Sequence, residues 1–366
     1  MAGLEVCREC LVPLHISSEH TWMNGGAILQ SRNSRNRMIF MECENLDPLF
    51  RGIEKIIGMP IEHVVTAAKR KAVRAYLGSL MPEMTKEMLR RREIDWQPVN
   101  DAFRATAGMS GYGKYQVVDY RHEQDVDDFI IETIREPYSV PLACGDMVAA
   151  FEILFGCDLG VEYKEVEKDL YEIRAFVASH PEELRGRLRF KEVEIKQGDV
   201  HFERCKTCGA PVALSDYAWH IDRGIIVNRT TGRRMVLTGM ELDTIFTELE
   251  SELGDIIPRA VIEAQRRFVR TGFYDIEGLG TRGMKEQLAV RGLGNILKLR
   301  SNERGLSVRI ENSFLHLIVV GLVQGLYEYA FNVDTHLEWE LKDSGELEVE
   351  VTPLDFTFEI EKEATA

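Results

Sequence analysis

The sequence lacks the motifs that mark the commonest enzyme sites. It contains no Gly-x-Ser-x-Gly elbow, no His-Glu-x-x-His and no phosphate-binding loop, which removes the serine-hydrolase, zincin and nucleotide-triphosphatase patterns. Positive charge is also short: 45 Lys and Arg stand against 60 Asp and Glu, for a formal charge of −15. That field repels phosphate backbones and anionic lipid heads, and no basic patch is large enough to reverse it locally, so neither nucleic acid nor a membrane surface is an expected partner. Residues 1–8 hold no basic stretch followed by an apolar run and no cleavage site, so a cytoplasmic location is expected. The run nearest membrane-spanning length, Phe314 to Phe331, carries His316, Gln324 and Glu328 and reads as a core helix. Cysteine is sparse and odd in number, with seven residues. In a reducing compartment such spacing suggests metal or thiol sites before a disulfide framework. Cys43, Cys144 and Cys157 read as small buried hydrophobes.

What is present is a duplication. With 366 residues and 45% hydrophobic content the chain has room for two or three domains with real cores. Cys7-x-x-Cys10-x-x-Pro13 recurs as Cys205-x-x-Cys208-x-x-Pro211, an offset of 198. Trp22, Arg32, Arg37 and Met38 recur as Trp219, Arg229, Arg234 and Met235 at 197; Leu46-Asp47, Phe50, Glu54 and Gly58 recur as Leu242-Asp243, Phe246, Glu250 and Gly254 at 196. Beyond Arg74 and Arg270 the first copy carries an insertion, and Ile134, Gly145 and Glu152 answer to Ile310, Gly321 and Glu328 at 176. Kept order with short indels is what divergence after duplication leaves. The expected organisation is a first repeat over 1–181, a linker hairpin over 182–204 turning at Gln197-Gly198-Asp199, and a second repeat over 205–366.

Each copy has the same expected elements. Alternating apolar residues around Gly/Asn turns, Trp22 to Met41 and Trp219 to Leu237, predict short hairpin strands. Apolar spacing of three and four predicts helices over Leu46 to Ile57, Ile61 to Leu80, Leu242 to Leu253 and Arg259 to Phe273. The insertion predicts further helices over Thr85 to Glu93 and Val99 to Ala107. Strands are expected at Tyr115 to Tyr120, Phe129 to Ile134, Ile296 to Leu299 and Leu306 to Ile310. A long apolar helix, Val140 to Phe155 or Phe314 to Phe331, then precedes two final strands. The fold class is α/β of the α+β kind: two tandem repeats, each with helices on one face of a small antiparallel sheet.

Two Cys-x-x-Cys knuckles at matched positions of a duplication supply the four thiolates that tetrahedral zinc takes, so Cys7, Cys10, Cys205 and Cys208 are the expected ligands of one shared structural zinc joining the repeats. A redox or empty thiol cluster is the alternative, and a local site of Cys7, Cys10, His15 and His20 has no counterpart in the second copy. Arg70 with Arg74, and Arg266 with Arg270, sit four apart and suit either a ligand carboxylate or surface pairing with nearby acids. Arg32, Arg37, Arg229 and Arg234 flank hairpin turns and read as solvated. The pairs Gly111-x-Gly113 and Gly292-x-Gly294 follow helices, as left-handed caps do, and do not extend to a dinucleotide fingerprint.

From Gly111 to Glu162, and from Gly292 to Glu338, the order Gly-x-Gly, strand, strand, long helix with an acid near its end, then two strands resembles the 4-vinyl reductase-type domain. Gly321 and Gly325 provide the helix's Gly-x-x-x-Gly face; Ala149 replaces the second glycine in the first copy. The cysteines that the family places around its last two strands are missing, so its metal site is not carried over. The resemblance implies a hydrocarbon-binding, trafficking-subunit-like fold. With the small residues of the long helix, it points to a hydrophobic or aromatic ligand between helix and sheet, lined by Phe314, His316, Gly321 and Gly325, and by Tyr138 and Cys144 in the first copy. The expected function is a cytoplasmic small-molecule-binding or sensory protein, with a protein partner reading the signal. A reductase with an unidentified cofactor, or a ligand-free assembly scaffold, are the alternatives.

Overall fold

In the computed structural model, residues 5–34, 36–179, 194–274 and 281–354 are described. The first copy runs from the knuckle through α1 (Leu14–Glu19), β1 (His20–Trp22), β2 (Ile28–Gln30) and β3 (Arg37–Glu42) to α2 (Cys43–Ile57) and α3 (Glu62–Leu80). The insertion forms α4 (Glu83–Arg90) and α5 (Gln97–Met109), before β4 (Lys114–Arg121), β5 (Phe129–Arg135), α6 (Val140–Phe155), β6 (Leu159–Glu167) and β7 (Leu170–Val177). The second copy repeats this with β8 (Tyr217–His220), β9 (Ile225–Asn228), β10 (Arg234–Thr238), α7 (Glu241–Leu253) and α8 (Ile256–Phe268). It closes with α9 (Thr281–Val290), β11 (Asn295–Asn302), β12 (Gly305–Glu311), α10 (His316–Phe331), β13 (Thr335–Leu341) and β14 (Leu347–Pro353).

Both copies build an antiparallel sheet of one topology, β4-β5-β7-β6 and β11-β12-β14-β13. The long helices α6 and α10 are apolar nearly all round, so each is buried between its sheet and a neighbouring helix, α3 or α8. Pro141 at the first turn of α6 and left-handed Gly156 at its end, whose N–H reaches Glu152 O, fix its limits. Among the described residues no helix is long and apolar enough to cross a membrane.

The copies are intertwined. Their hairpins merge into one six-stranded sheet, β1-β2-β3-β10-β9-β8. At its centre β3 pairs antiparallel with β10, and Phe40 stands opposite Leu237, its own counterpart, so a pseudo-twofold axis passes through the ladder. Each hairpin then docks on the other copy's helix-to-strand joint. Gly294 N–H donates to Gly26 O at 3.1 Å and Gly113 N–H to Gly224 O at 2.9 Å; Phe40 N–H donates to Arg291 O at 2.9 Å and Leu237 N–H to Ser110 O at 2.8 Å. Helices cross as well, α2 against α8 and α3 against α7. The main apolar core consequently draws from both copies, with Leu46, Leu49 and Ile53 beside Leu242, Ile245 and Val261.

Three expectations are revised. The helix expected to reach Phe273 is regular to Phe268 and then becomes a π-helical turn, Val269–Phe273, broken at Gly272 with φ 79°. The linker hairpin falls partly outside the described residues, and 194–203 hold no strand; Val200 N–H and Lys196 N–H instead bond Asn24 O and the Asn312 side chain. Arg37 is not a solvated turn residue. It is 6% exposed, its guanidinium donates to Gly292 O and Asn312 O, and it lies 4.7 Å over the Phe314 ring, so the turn is tied to the other copy. Arg234 does the same on its side, donating to Glu136 O at 2.9 Å.

The Arg pairs meet the chain's own acids: Arg74 reaches Asp158 at 3.0 Å and Arg270 reaches the exposed Asp334 at 2.6 Å, as surface pairing predicts, and each pair also closes on a buried glutamate. Arg70 and Arg74 clamp Glu152 at 2.8 and 3.1 Å, and Arg266 and Arg270 clamp Glu328 at 2.7 and 3.4 Å. Both glutamate side chains are fully buried. Each also accepts a backbone N–H at the head of the next strand region, from Leu159 at 3.0 Å and Thr335 at 3.1 Å. A buried carboxylate held this way ties helix, helix and strand together.

Candidate functional site

The knuckles, 198 residues apart in the sequence, come to one place. In each, the first cysteine's N–H closes a tight loop, Cys7 to Val12 O at 2.9 Å and Cys205 to Ala210 O at 2.8 Å. Leu11 and its counterpart Gly209 both take left-handed backbone, φ 62° and 76°. The sulfur atoms of Cys7, Cys10, Cys205 and Cys208 all lie within 4.8 Å of one another. Counterparts pair across the axis, Cys7 with Cys205 at 3.6 Å and Cys10 with Cys208 at 3.5 Å. Four thiolates at about 2.3 Å from a tetrahedral ion would stand about 3.8 Å apart. The cluster therefore fits a metal ion, and the donors come from both copies, not from His15 or His20; His20 Nδ1 instead bonds Ile16 O at 3.0 Å. The backbone N–H of Cys10 is the main influence holding the Cys7 thiol down at about 7, while burial pushes Cys10 up. Glu9 bridges the axis, accepting from Thr207 Oγ1 at 2.7 Å.

A second feature lies between the copies. A cleft of about 1250 Å³ is walled by the first hairpin (Met23, Asn36, Arg37), α3 (Ala72, Ala75, Tyr76), the start of α7 (Glu241 to Glu248) and the approach to α10 (Ser313 to His316). Arg37 Nε, Glu241 Oε2 and Ser313 Oγ are buried at this cleft with no hydrogen-bond partner among the described residues.

The residues expected to bind a ligand separate into two groups. Phe314 and His316 line the cleft, with the His316 ring 5.5 Å from that of Trp339. Gly321 and Gly325 face α8. A Cβ on Gly321 would stand 2.5 Å from Ile262 O, and one on Gly325 would stand 2.7 Å from Val269 Cβ. Helix packing fills that space, which is why the positions are glycine. Tyr138 and Cys144 are buried at 1% exposure in the packed core, away from the cleft lining.

One cluster escaped sequence reasoning. Lys69, fully buried on α3, places Nζ 3.3 Å from Asp146 and 3.8 Å from Glu241. The Tyr112 and Tyr138 rings lie 5.4 and 5.9 Å from it. Tyr138 Oη donates to Asp146 at 2.7 Å. Burial is the largest influence and opposes the ammonium, yet the two carboxylates more than reverse it and Lys69 stays charged. Burial lifts Asp146 to about 6 against the pull of Lys69. The signal was a lysine inside the stripe Val65, Ala68, Ala72 that faces the core. In the second copy the equivalent place is neutral: Gln265, the counterpart of Lys69, accepts from Asn45, the counterpart of Glu241, at 3.0 Å.

No protein-family model matches the chain, and no curated protein does. A solved structure of an Fe(II) unliganded H-NOX protein mutant from K. algicida aligns with 32% of this chain and 75% of its own, at 15% identity and a TM-score of 0.24. Another, from work on heme distortion in the H-NOX family, aligns with 31% of this chain and 71% of its own, at 14% identity and 0.22. Overlap that slight carries no argument about fold or ligand.

Proposed function

We propose that this chain is a cytoplasmic sensory protein that binds a small hydrophobic or aromatic molecule, its two copies pinned by one structural zinc ion. The observation that carries the reading is the cleft of about 1250 Å³ built from both copies, with Phe314 and His316 in its wall. A ligand held between two units favours one arrangement of them over another, which is how occupancy becomes a signal for a protein partner. Four thiolates with no other donor among the described residues suit zinc, and a closed set leaves no position for water, so the ion's part is structural. The copies we assign are 1–181 and 205–366, joined through 182–204. Support for the 4-vinyl reductase-type likeness lies in the shared order of two strands, long helix and two strands.

Native mass spectrometry of the full chain, followed by thermal melts against a panel of small aromatic compounds, tests the reading. The expected result is a co-purifying organic mass or a compound that raises the melting temperature, with either effect lost in Ala75→Trp, which fills the cleft. If no organic mass appears and no compound shifts the melt, the binding function is wrong.

A further inference from the structure

The duplication supplies an internal reference for the cleft, because the same place in the other half of the molecule is already filled. After α8 the π-helical turn swings Phe273 and Tyr274 inward. Tyr274 Oη donates to Glu42 at 3.1 Å and lies 3.4 Å from Asn45 Nδ2, and its ring packs on Phe268. The Arg233 guanidinium covers the pair, 3.9 Å from the Phe273 ring centre and 5.7 Å from that of Tyr274. The residues around Tyr274 have counterparts on the other side: Asn36 for Arg233, Ala72 for Phe268 and Glu241 for Asn45. All three line the cleft. Tyr274 itself corresponds in register to Gly78, which lies in the regular helix α3 and brings no side chain to that space. One copy thus fills with its own phenol a space that the other leaves open.

The open side differs in charge. It lacks the cation that Arg233 supplies, since Asn36 stands there. It also has a carboxylate in place of the Asn45 amide: Glu241 is 9% exposed, its Oε1 lies 3.8 Å from the buried Lys69 ammonium, and its Oε2 has no hydrogen-bond donor among the described residues. Glu194, Asp243, Glu248 and Asp343 also line the cleft, Glu248 being paired with Lys71 at 2.7 Å, against Arg37 and Lys342. Arg37 Nη2 is engaged by two backbone carbonyls, and Lys342 by Glu346 and Glu348 at 3.1 and 2.6 Å. The missing complement is an aromatic ring with a positively charged hydrogen-bond donor. We infer that the cleft binds an aromatic amine cation, its ring in the place that Tyr274 takes in the other half and its ammonium on Glu241.

This inference rests on the proposed ligand-binding function and narrows it. Calorimetric titration of the full zinc-loaded chain at pH 7 uses three probes of one ring and differing charge: tyramine (cation), p-cresol (neutral) and 3-(4-hydroxyphenyl)propionate (anion). Tyramine is expected to bind at least tenfold more tightly than the propionate. Glu241→Gln should weaken tyramine about tenfold and leave p-cresol within twofold, and Ala75→Trp should abolish both. If the propionate or p-cresol binds as tightly as tyramine, the cation assignment falls while the cleft's function stands. If none of the three binds at millimolar concentration, the cation assignment falls, and the co-purifying mass and the wider panel of melts decide the cleft's function separately. Should Glu241→Gln fail to fold, the ranking of the three probes on the unaltered chain decides alone.

Discussion

Replacing Lys69 by Met removes the ammonium and leaves Asp146 and Glu241 facing each other in the core, with side chains only 13% and 11% exposed. At separations of 3.3 and 3.8 Å and an effective dielectric of ~20, each attraction lost is worth about 4–5 kcal/mol before desolvation is subtracted. Breaking a buried pair by deleting one partner typically costs about 3–5 kcal/mol, and that is the loss expected at pH 8. The cost has a pH signature. Without Lys69 the Asp146 carboxyl, already lifted to about 6, rises further, so the folded state holds a proton that the unfolded state has released. Stability of Lys69→Met should therefore fall as pH rises from 5 to 8, more steeply than in the unaltered chain. The second copy shows how the same place is built without charge. Exchanging Lys69→Gln, Glu241→Asn, Asp146→Leu and Tyr138→Phe together installs the counterparts Gln265, Asn45, Leu322 and Phe314. Because the whole charge group leaves at once, that variant should stay within about 1.5 kcal/mol of the original. Chemical denaturation at several pH values measures both. A Lys69→Met loss below about 1 kcal/mol at pH 8, or a four-residue exchange as damaging as the single change, refutes the compensation argument.

Two further outcomes follow from the same pairing of copies and from burial. Leu11 holds a left-handed backbone that its counterpart fills with Gly209, and it is 53% exposed, so Leu11→Gly should stabilise by about 1 kcal/mol in a thermal melt; a loss would show that the side chain packs usefully. Burial lifts Glu132 from its ordinary 4.5 to about 7, with Asn100 Nδ2 at 3.2 Å as its donor. Its folded pKa lies above its unfolded one, so its contribution is full below 4.5 and lost as pH rises to 7. Glu132→Gln should flatten stability across that window and raise it at pH 8, and an unchanged pH profile would contradict the burial argument.

Local elements were legible because periodicity and punctuation are local. The run from Val140 to Phe155 announced α6, and the repeat predicted α10 with its bounds nearly right. The knuckle cysteines were readable as one cluster because the duplication doubled a weak motif. Intertwining was not legible: that β3, paired with β2 on one side, should take β10 of the other copy on its free edge goes with Arg37 and Arg234 each reaching carbonyls of the opposite half. The glycines misled in a physical way. A small-residue stripe reads alike whether a ligand or a helix fills it, and at Gly321 and Gly325 it is α8. The cleft escaped notice because its wall is assembled from Asn36, Tyr76, Glu241 and Phe314, which no spacing in the sequence brings together.

The central claim is that one metal ion, held jointly, fastens the two halves, and metal content tests it most directly. Elemental analysis of the full chain purified under reducing conditions should give one zinc per chain. The ion should be lost in both Cys7→Ser and Cys205→Ser, and each variant should destabilise the whole molecule in a single transition. Two zinc ions per chain, none, or a variant in which only the mutated half unfolds would contradict the shared site.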